Sequence, residues 1–340
     1  MVELKIVENM DSKEWDRRLV AMPFHSVFQL HPWGEFKRSL GWKPVYIFDE
    51  TNQDTPRFMA QMLLKQYPFH ITLGWILGGP TFRNDSPEEI VDFFSQLRGL
   101  LQKSFSRFIV RTNIHLPEKA SLSYFLSKEL FAPVVELNSP FSSLIAISND
   151  EKKDFLNSMD SKHRYYVKKS LKEEIHWRFE SASVLLDDFY KVYEQMNDLK
   201  GRREEACSYD YIKNLCSAFG ETHLKFLVGY WNNMPVTGCL VLLSKNKAYY
   251  FLAATNAAGR KLSSAYAMVY HLYHFLQKSG IQFLDLGGMA PANPDAKGVD
   301  HFKRGFGGTT LQYLGEWEMA SSNWIRIAFN LGLKLKEKFL

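Results

Sequence analysis

Apolar residues recur along the chain at spacings that predict both helices and short strands. Ser86-Pro87-Glu88-Glu89 forms a capping box with proline at the first helical position. The residues that follow it at helical spacing predict a helix over 87–104: Ile90, Phe93, Phe94, Leu97 and Leu101. A second capping box, Ser148-Asn149-Asp150-Glu151, predicts another helix start ahead of Phe155, Leu156 and Met159.

The β-like runs fall into two sets that repeat one order of elements. The first set has strands at 44–49, 57–65 and 71–77, then the helix at 87–104 and a strand at 107–111. The second set has helices at 184–197 and 209–219, strands at 223–230, 236–243 and 248–254, a helix at 263–279 and a strand at 281–286. The repetition predicts a structural duplication with its hinge near 140–149.

The composition is that of a globular chain with room for two cores. Its 340 residues are 46% apolar and 23% charged, so about two domains are expected. No window reaches the roughly 18 consecutive apolar residues of a membrane-spanning helix, and the charged N-terminus is unlike a signal peptide. Cys207, Cys216 and Cys239 have no CxxC spacing, so a reducing cytosol without disulfides or a zinc site is expected.

The last segment, residues 323–340, has the pattern of an amphipathic helix. Its apolar face consists of Trp324, Ala328, Leu331, Leu335 and Phe339. Its polar positions include Arg326, Lys334, Lys336 and Lys338. Such a helix can lie on a membrane surface. The general tendency of apolar stripes favours packing of this face on a domain instead.

The candidate chemistry lies between Asp285 and Gly308. The chain has no phosphate-loop, HExxH or GxSxG motif, and His271 and His274 lack a third ligand nearby, so a metal-free mechanism is expected. Gly287-Gly288 turns the chain after a predicted strand, and Lys303-Arg304 precedes a glycine-rich stretch. Glycines let backbone N–H groups approach a ligand, and the cations could hold an anion there. The alternative interpretation is a turn between strands with a solvated basic pair. It explains Gly305–Gly308 well, but it explains the other glycines and prolines of the segment less well.

This segment resembles the hallmark of the FemABX peptidyltransferases, double-domain relatives of the GNAT acyltransferases. Matches are spread over residues 29 to about 317. They comprise Gln29-Leu30-His31-Pro32-Trp33-Gly34-Glu35-Phe36-Lys37 with Gly41-Trp42, Gly78-Gly79-Pro80, the basic run Asp160–Lys172, Tyr249-Tyr250 with Ala253-Ala254, and Phe302–Gly308.

The resemblance implies an α+β fold of two GNAT-like (acyl-CoA N-acyltransferase) domains, each a mixed, mostly antiparallel sheet flanked by helices. The expected domains are 1–147 and 148–317, with 318–340 packing back on the first. The implied activity moves an amino acid from the 3′ ester of aminoacyl-tRNA to an amine of a UDP-linked or lipid-linked peptidoglycan precursor. No cofactor is implied. The enzyme would be a cytoplasmic monomer, working at the inner membrane face where the acceptor is lipid-linked.

The resemblance also assigns residues. Lys303 with Phe302 would lie beside the reacting carbonyl, and Lys37 in the Trp33 box would contact the acceptor's phosphates. Weaker candidates for the acceptor groove are Arg202, Arg203, Tyr211 and Tyr250, although the tyrosines could equally be core residues. The candidate tRNA-binding residues are Lys162, Arg164, Lys168 and Lys169, in a run that also suits a solvated helix face.

Two departures from the family pattern affect the function. Where some members carry R-x-D-P, this chain has Arg111-Thr112-Asn113-Ile114, so a carboxylate for the acceptor amine is missing. The 196–208 connection is too short for the coiled-coil arm of other members, so the chain resembles the armless type. The alternatives are an acyl-CoA-dependent N-acyltransferase using the turn at Asn256–Lys261, and an inactive binding scaffold.

Overall fold

The structure, a computed structural model, describes residues 4–49, 56–150, 153–201, 204 and 206–338. The chain divides into two compact units. The first consists of the residues up to Pro140 together with those from Gln312 onward, and the second is the continuous segment Phe141–Leu311.

The first unit is one mixed sheet with helices on it. Its strands are β1 (Leu4–Val7), β2 (Lys43–Asp49), β3 (Phe58–Tyr67), β4 (Ile71–Leu77), β5 (Thr81–Phe82), β6 (Arg107–Pro117) and β13 (Thr309–Ala320, mostly in this unit). Its helices are α1 (Ser12–Leu19), α2 (His31–Ser39), α3 (Pro87–Ser104), α4 (Ala120–Glu129) and α11 (Asn323–Lys338). The strand order is β1-β2-β3-β4-β6-β13, with β5 beside β3, and among these described strands only the β4–β6 pair is parallel.

Helix α3 shows how the sequence pattern produces the first core. The Ser86 side chain accepts a hydrogen bond from the Glu89 N–H at 3.4 Å, and the helix covers the predicted range, Pro87–Ser104. Its apolar face, including Phe93 and Leu97, is buried in the main hydrophobic cluster of this unit, together with residues of β2, β3 and β6. The capping box and the helical spacing of the apolar residues therefore predict the same helix, and the structure has it.

The second unit repeats the arrangement with a different order along the chain. Its strands are β7 (Phe141–Ala146), β8 (Ile175–Glu180), β9 (Leu224–Trp231), β10 (Met234–Ser244), β11 (Lys247–Thr255) and β12 (Phe283–Met289). Its helices are α5 (Ser161–Ser170), α6 (Ala182–Lys200), α7 (Tyr209–His223), α8 (Ala257–Lys261), α9 (Ser264–Lys278) and α10 (Lys297–Arg304). The order is β8-β9-β10-β11-β12-β7, and β11–β12 is the one parallel pair in the described part of this unit.

Both units thus have an antiparallel meander that leads into one parallel pair and then an antiparallel sixth strand. The predicted α+β class and the duplication are confirmed. The second capping box does not start an α-helix: Ser148 Oγ accepts from the Asp150 N–H in a turn. A 3₁₀ helix follows at Phe155–Ser158, and α5 begins after its own cap, Asp160, which accepts from the His163 N–H.

A buried ionic cluster joins β6, β13 and α11 inside the first unit. The Arg111 side chain is completely buried and donates to the Val135 carbonyl at 2.7 Å and to Glu318 at 2.9 Å. It also lies 3.4 Å from Glu316 and donates to the Asn330 side chain at 3.2 Å. These partners offset the cost of taking a guanidinium and two carboxylates out of water.

The same cluster shows that the last helix belongs to the first unit but packs on it with a different face from the one the apolar pattern predicts. Helix α11 turns its polar face inward, because Asn330 bonds both Arg111 and Glu318 and is only 3% exposed. Trp324 is 81% exposed and Leu331 56%, so the apolar face does not pack on the unit, and Phe339 lies outside the described residues. None of the described helices combines the length and hydropathy needed to cross a bilayer.

Replacing Arg111 should show how much this cluster contributes to the free energy of unfolding. We expect Arg111→Leu to lower the free energy of unfolding by about 3 kcal/mol or more, because Glu316 stays buried without this cation and Glu318 keeps only Arg326 among the described cations, at 3.7 Å. Arg38→Leu, which breaks an exposed pair with Glu35, should cost about 1 kcal/mol or less. Denaturant unfolding of both variants measures the difference, and equal losses would contradict this account of the cluster.

Candidate active site

The candidate site of the second unit lies where its parallel strands separate. The β11–β12 ladder has three residue pairs, from Lys247–Phe283 to Tyr249–Asp285. The corresponding β4–β6 ladder of the first unit continues for seven pairs, from Ile71–Arg107 to Leu77–Asn113. After Asp285, β12 is no longer paired with β11, whereas the equivalent ladder of the first unit continues. β12 stays paired with β7 as far as Met289, with a register irregularity at Gly287-Gly288 that we call the Gly287-Gly288 turn.

Gly287 is required by both conformation and space. Its φ is +79°, in the left-handed region that favours glycine. A Cβ at this position would lie 3.2 Å from the Tyr249 hydroxyl and 3.7 Å from Lys303 Nζ. The backbone of the turn is therefore bordered by a phenol and an ammonium group.

Asp285 fixes the start of the turn. This residue is 6% exposed, and its carboxylate accepts from the Ser142 hydroxyl and from the Gly287 N–H, the latter at 2.8 Å. Burial raises the pKa of Asp285, while those two hydrogen bonds and the charges of Lys247 and Lys303 act in the opposite direction. The carboxylate is thus a buried anchor for the turn with two cations in its electrostatic surroundings.

Lys303 brings a half-buried ammonium group to the same place. It lies in the last turn of α10, and Nζ donates to the Gly288 carbonyl at 2.5 Å. Burial lowers the pKa of Lys303, and the negative charges of Asp285 and Asp300 oppose that shift. The side chain can therefore present positive charge, with its remaining N–H groups, to a ligand at the turn.

Phe302 belongs to an aromatic cluster behind Lys303. Its ring centroid is 5.3 Å from that of Tyr266 and 5.0 Å from that of Phe306, both edge to face. Its backbone carbonyl faces His163 Nε2 at 3.0 Å. Phe302 therefore helps to hold the end of α10 against α5 and α9.

His163 is the residue of this region whose role the sequence did not reveal. Its side chain is completely buried, with Nδ1 2.9 Å from the Asp160 carboxylate in addition to the contact with Phe302. Among the described residues, one group places possible metal-ligand atoms within 4.8 Å of one another: Asp160, His163 and His301. Since both ring nitrogens of His163 already face hydrogen-bond partners, ligation would cost it one of these bonds.

The first unit contributes a row of rings that begins at Lys37. Lys37 Nζ lies 4.7 Å from the Trp33 ring centroid, and Trp33 contacts Phe28 edge to face at 4.9 Å. The row continues to His115, 6.3 Å from Phe28, which stacks on Tyr313 at 4.7 Å. A cation at the end of an aromatic row suits a ligand that has both anionic and flat or apolar parts.

Gln29 and the Gly78-Gly79-Pro80 turn position this row. The Gln29 amide donates to the Leu77 carbonyl at 2.8 Å and accepts from the Gln61 N–H at 2.7 Å. A Cβ on Gly79 would lie 2.6 Å from the Gln29 side chain, and the Gly79–Pro80 peptide bond is cis. The glutamine that starts the sequence motif is therefore a structural residue of the first unit.

Asn113 occupies the position where the family pattern led us to look for a carboxylate. It is 3% exposed, and its Oδ1 is buried without a hydrogen-bond partner among the described residues. Its neighbour Thr112 donates to the Gly79 carbonyl. An amide oxygen at this place can accept a hydrogen bond, but it cannot take up a proton at neutral pH.

The weaker predicted site residues lie elsewhere or outside the description. Tyr250 packs against the core of the second unit, where burial raises its pKa, and its neighbour Tyr249 is the one that reaches the turn. Burial raises the pKa of Tyr211 to about 12, and the nearby titratable groups of Cys207 and Tyr193 shift it in the same direction. Arg202 and Arg203 lie outside the described residues.

Helix α5 presents the predicted basic surface with one exception. Lys162, Lys168 and Lys169 are exposed, and Tyr165 between them is 64% exposed. Arg164 instead turns back and donates to the Met159 carbonyl at 3.1 Å. An exposed aromatic ring among lysines is a feature that suits nucleic acid, since bases stack and phosphates pair with the cations.

Comparison with known proteins addresses the family of this chain. Residues 225–330 match the model of the FemAB family, a stretch that takes in the Gly287-Gly288 turn and Lys303. Aminoacyltransferase FemA of Staphylococcus aureus is 20% identical over 168 residues, which are 47% of this chain and 39% of that protein. The predicted resemblance to the FemABX family is confirmed over this stretch of the chain. The chain spans well under half the length of this FemA relative.

Superposition on solved structures identifies proteins that share the fold of this chain. The crystal structure of FemX superposes with a TM-score of 0.79 at 15% identity, covering 92% of this chain and 96% of that one. A tandem GNAT protein from the clavulanic acid biosynthesis pathway gives a TM-score of 0.53 at 9% identity, covering 94% of this chain and 99% of that one. At these identities the likeness concerns the fold, and it confirms two GNAT-like units.

A matched pair of glycine substitutions tests how α10 is held. A Cβ at Gly305 would overlap the buried His163 ring, whereas one at Gly298, on the same helix, meets nothing within 4 Å. We expect Gly305→Ala to lower the free energy of unfolding by about 2 kcal/mol or more. Gly298→Ala should be neutral or stabilising by up to about 1 kcal/mol. Thermal and denaturant unfolding decide, and a harmless Gly305→Ala would mean that His163 does not clamp the helix.

Proposed function

We propose that this chain is an aminoacyltransferase that moves an amino acid from aminoacyl-tRNA to an amine of a cell-wall peptide precursor. The observation that carries the proposal is the half-buried Lys303 ammonium at the Gly287-Gly288 turn, where β11 and β12 separate. The FemAB match over the same residues supports this chemistry, as does the FemA relative, whose name is that of an aminoacyltransferase.

The reaction needs positioning and charge stabilisation more than a covalent intermediate. The acceptor nitrogen attacks the ester carbonyl carbon, and the carbonyl oxygen carries negative charge in the tetrahedral intermediate. Collapse forms the amide and releases the 3′ oxygen of tRNA, which takes the proton lost by nitrogen. A fixed cation beside the carbonyl oxygen stabilises this charge, and Lys303 has that role in our proposal. Because the ester is already activated, the proposal includes no cofactor.

The acceptor side is assigned to the ring row of the first unit. Lys37, held over the Trp33 ring, would pair with the phosphates of a UDP-linked or lipid-linked precursor. With Asn113 in place of a carboxylate, proton transfer from the amine to the departing oxygen is the route consistent with this chain. A lipid-linked acceptor would be met at the inner face of the membrane, and we propose that a monomer suffices.

The donor side is assigned to helix α5. Its exposed residues Lys162, Lys168 and Lys169 would contact tRNA phosphates, and Tyr165 would stack on an unpaired base. Only residues 201–208 separate α6 from α7, which leaves no room for a long coiled-coil arm there. The body of the chain must therefore supply the tRNA contacts.

An acyl-CoA donor is the alternative chemistry for this fold. It would require free backbone N–H groups in the turn at Asn256–Lys261 to hold a pyrophosphate. The Gly259 N–H already donates to the Asn256 side chain at 3.0 Å, as the cap of α8. This local bonding favours charged tRNA over CoA as the donor.

The Lys303 assignment is tested by turnover. With mixed aminoacyl-tRNAs and candidate acceptors, the chain should produce a mass shift in the acceptor, and acetyl-CoA should not replace the tRNA. We expect Lys303→Ala to lower turnover by about 10²-fold or more, the scale of one lost oxyanion donor. Lys297→Ala, an exposed lysine on the same helix, should have little effect.

Three results would contradict the proposal. One is a Lys303→Ala loss under about threefold, too small for an oxyanion contact. Another is acceptor binding without any transfer by the unaltered chain, as a binding scaffold would give. The third is transfer from acetyl-CoA but not from charged tRNA.

The α5 assignment is tested by binding at several salt concentrations. We expect Lys168→Glu with Lys169→Glu to weaken binding of charged tRNA and to reduce the dependence of affinity on salt by about one phosphate contact per lysine. The control is Lys213→Glu with Lys191→Glu, an equal change of charge on α7 and α6. If both pairs weaken binding equally, net charge rather than α5 determines tRNA affinity.

A further inference from the structure

Helix α11 carries an exposed apolar stripe along its outer face. Trp324 is 81% exposed, Ile327 52%, Leu331 56% and Leu335 49%. Their spacings of three and four residues put them on one side of the helix. The inward side is fixed by Asn330 in the Arg111 cluster, so the helix cannot rotate to bury the stripe without breaking buried hydrogen bonds.

The neighbouring segment extends this surface. Phe131 is 43% exposed, Val134 53% and Leu137 44%. Phe131 lies under the Arg326 guanidinium of α11 at 4.5 Å, and the Val134 N–H donates to Asn330 at 3.2 Å. The stripe of α11 and these three residues form what we call the α11 patch. Adjacent exposed apolar residues in such number usually mark a binding surface.

The charges beside the α11 patch indicate which surface it fits. The sequence of α11 contains four basic residues, Arg326, Lys334, Lys336 and Lys338, and one acidic residue, Glu337, while the 131–137 segment adds Glu136. Trp324 lies at the start of the helix, and the lysines lie at its end. Of these basic residues, Arg326 pairs with Glu318 and Lys334 is exposed. An exposed apolar stripe with an interfacial tryptophan, on a helix rich in lysine, is the pattern of a helix that lies in the plane of an anionic bilayer.

We infer that the α11 patch docks on the surface of an anionic lipid membrane. The apolar side chains would enter the boundary between headgroups and acyl chains, while the exposed Lys334 would pair with a lipid phosphate. The helix does not need to refold, because the Arg111 cluster already presents the stripe outward. This inference goes beyond the proposed transfer reaction and does not depend on it.

Vesicle flotation tests the inference without any tRNA or acceptor. The full chain should float with vesicles made of equal parts of phosphatidylcholine and phosphatidylglycerol, and less with phosphatidylcholine alone. We expect Leu331→Ser and Ile327→Ser each to weaken partitioning about tenfold, because each removes an apolar side chain from the contact. Leu199→Ser, at an α6 position of similar exposure (54%), should have no effect.

A charge reversal completes the test. Lys334→Glu should weaken binding to the anionic vesicles more than Lys245→Glu, an equal change of net charge at an exposed position of the second unit. The inference fails if the unaltered chain does not float with anionic vesicles, or if Leu331→Ser and Leu199→Ser behave alike. It also fails if the lipid-free chain forms a dimer that Leu331→Ser abolishes, since the patch would then be covered by a second copy.

Discussion

The candidate active site depends on one buried carboxylate. Asp285 ends the short β11–β12 ladder, and its bonds to Ser142 and to the Gly287 N–H hold the irregular stretch through which β12 continues along β7. Lys303 then bonds the carbonyl of the next residue, Gly288. A carboxylate that is costly to bury thus holds both the turn and the electrostatic surroundings in which a lysine can stay charged.

The two units share a sheet plan but differ at the equivalent place. In the first unit the parallel ladder runs on to Asn113, and a cis-Pro80 turn and Gln29 close its end. In the second unit the ladder stops early, and the exposed Gly288 and the half-buried Lys303 lie beyond its end. Duplication therefore supplied the same scaffold twice, and the glycines and charges at the strand ends distinguish the two units.

Local signals predicted most elements, and long-range contacts explain the errors. Helix α3 was predicted residue for residue, since its cap and its apolar period lie within it. The inward face of α11 could not be predicted, because it is set by Arg111, more than two hundred residues earlier in the chain. The glycine-rich surroundings of Lys303 singled it out in the sequence, and its catalytic role stays a prediction. The buried role of His163 was not predicted, because it lies in a run of basic residues that suggested a solvated helix face. The alternation of side chains along β11 did not show which of its two adjacent tyrosines faces the turn, and it is Tyr249 rather than Tyr250.

The interrupted course of the first unit affects how a newly synthesised chain matures. The partners that complete its sheet and neutralise Arg111, namely β13 and α11, leave the ribosome only after all of the second unit. Throughout that interval the edge of β6 is an open template for mispairing with other strands. The first unit can therefore reach its complete fold only after the whole second unit has been synthesised.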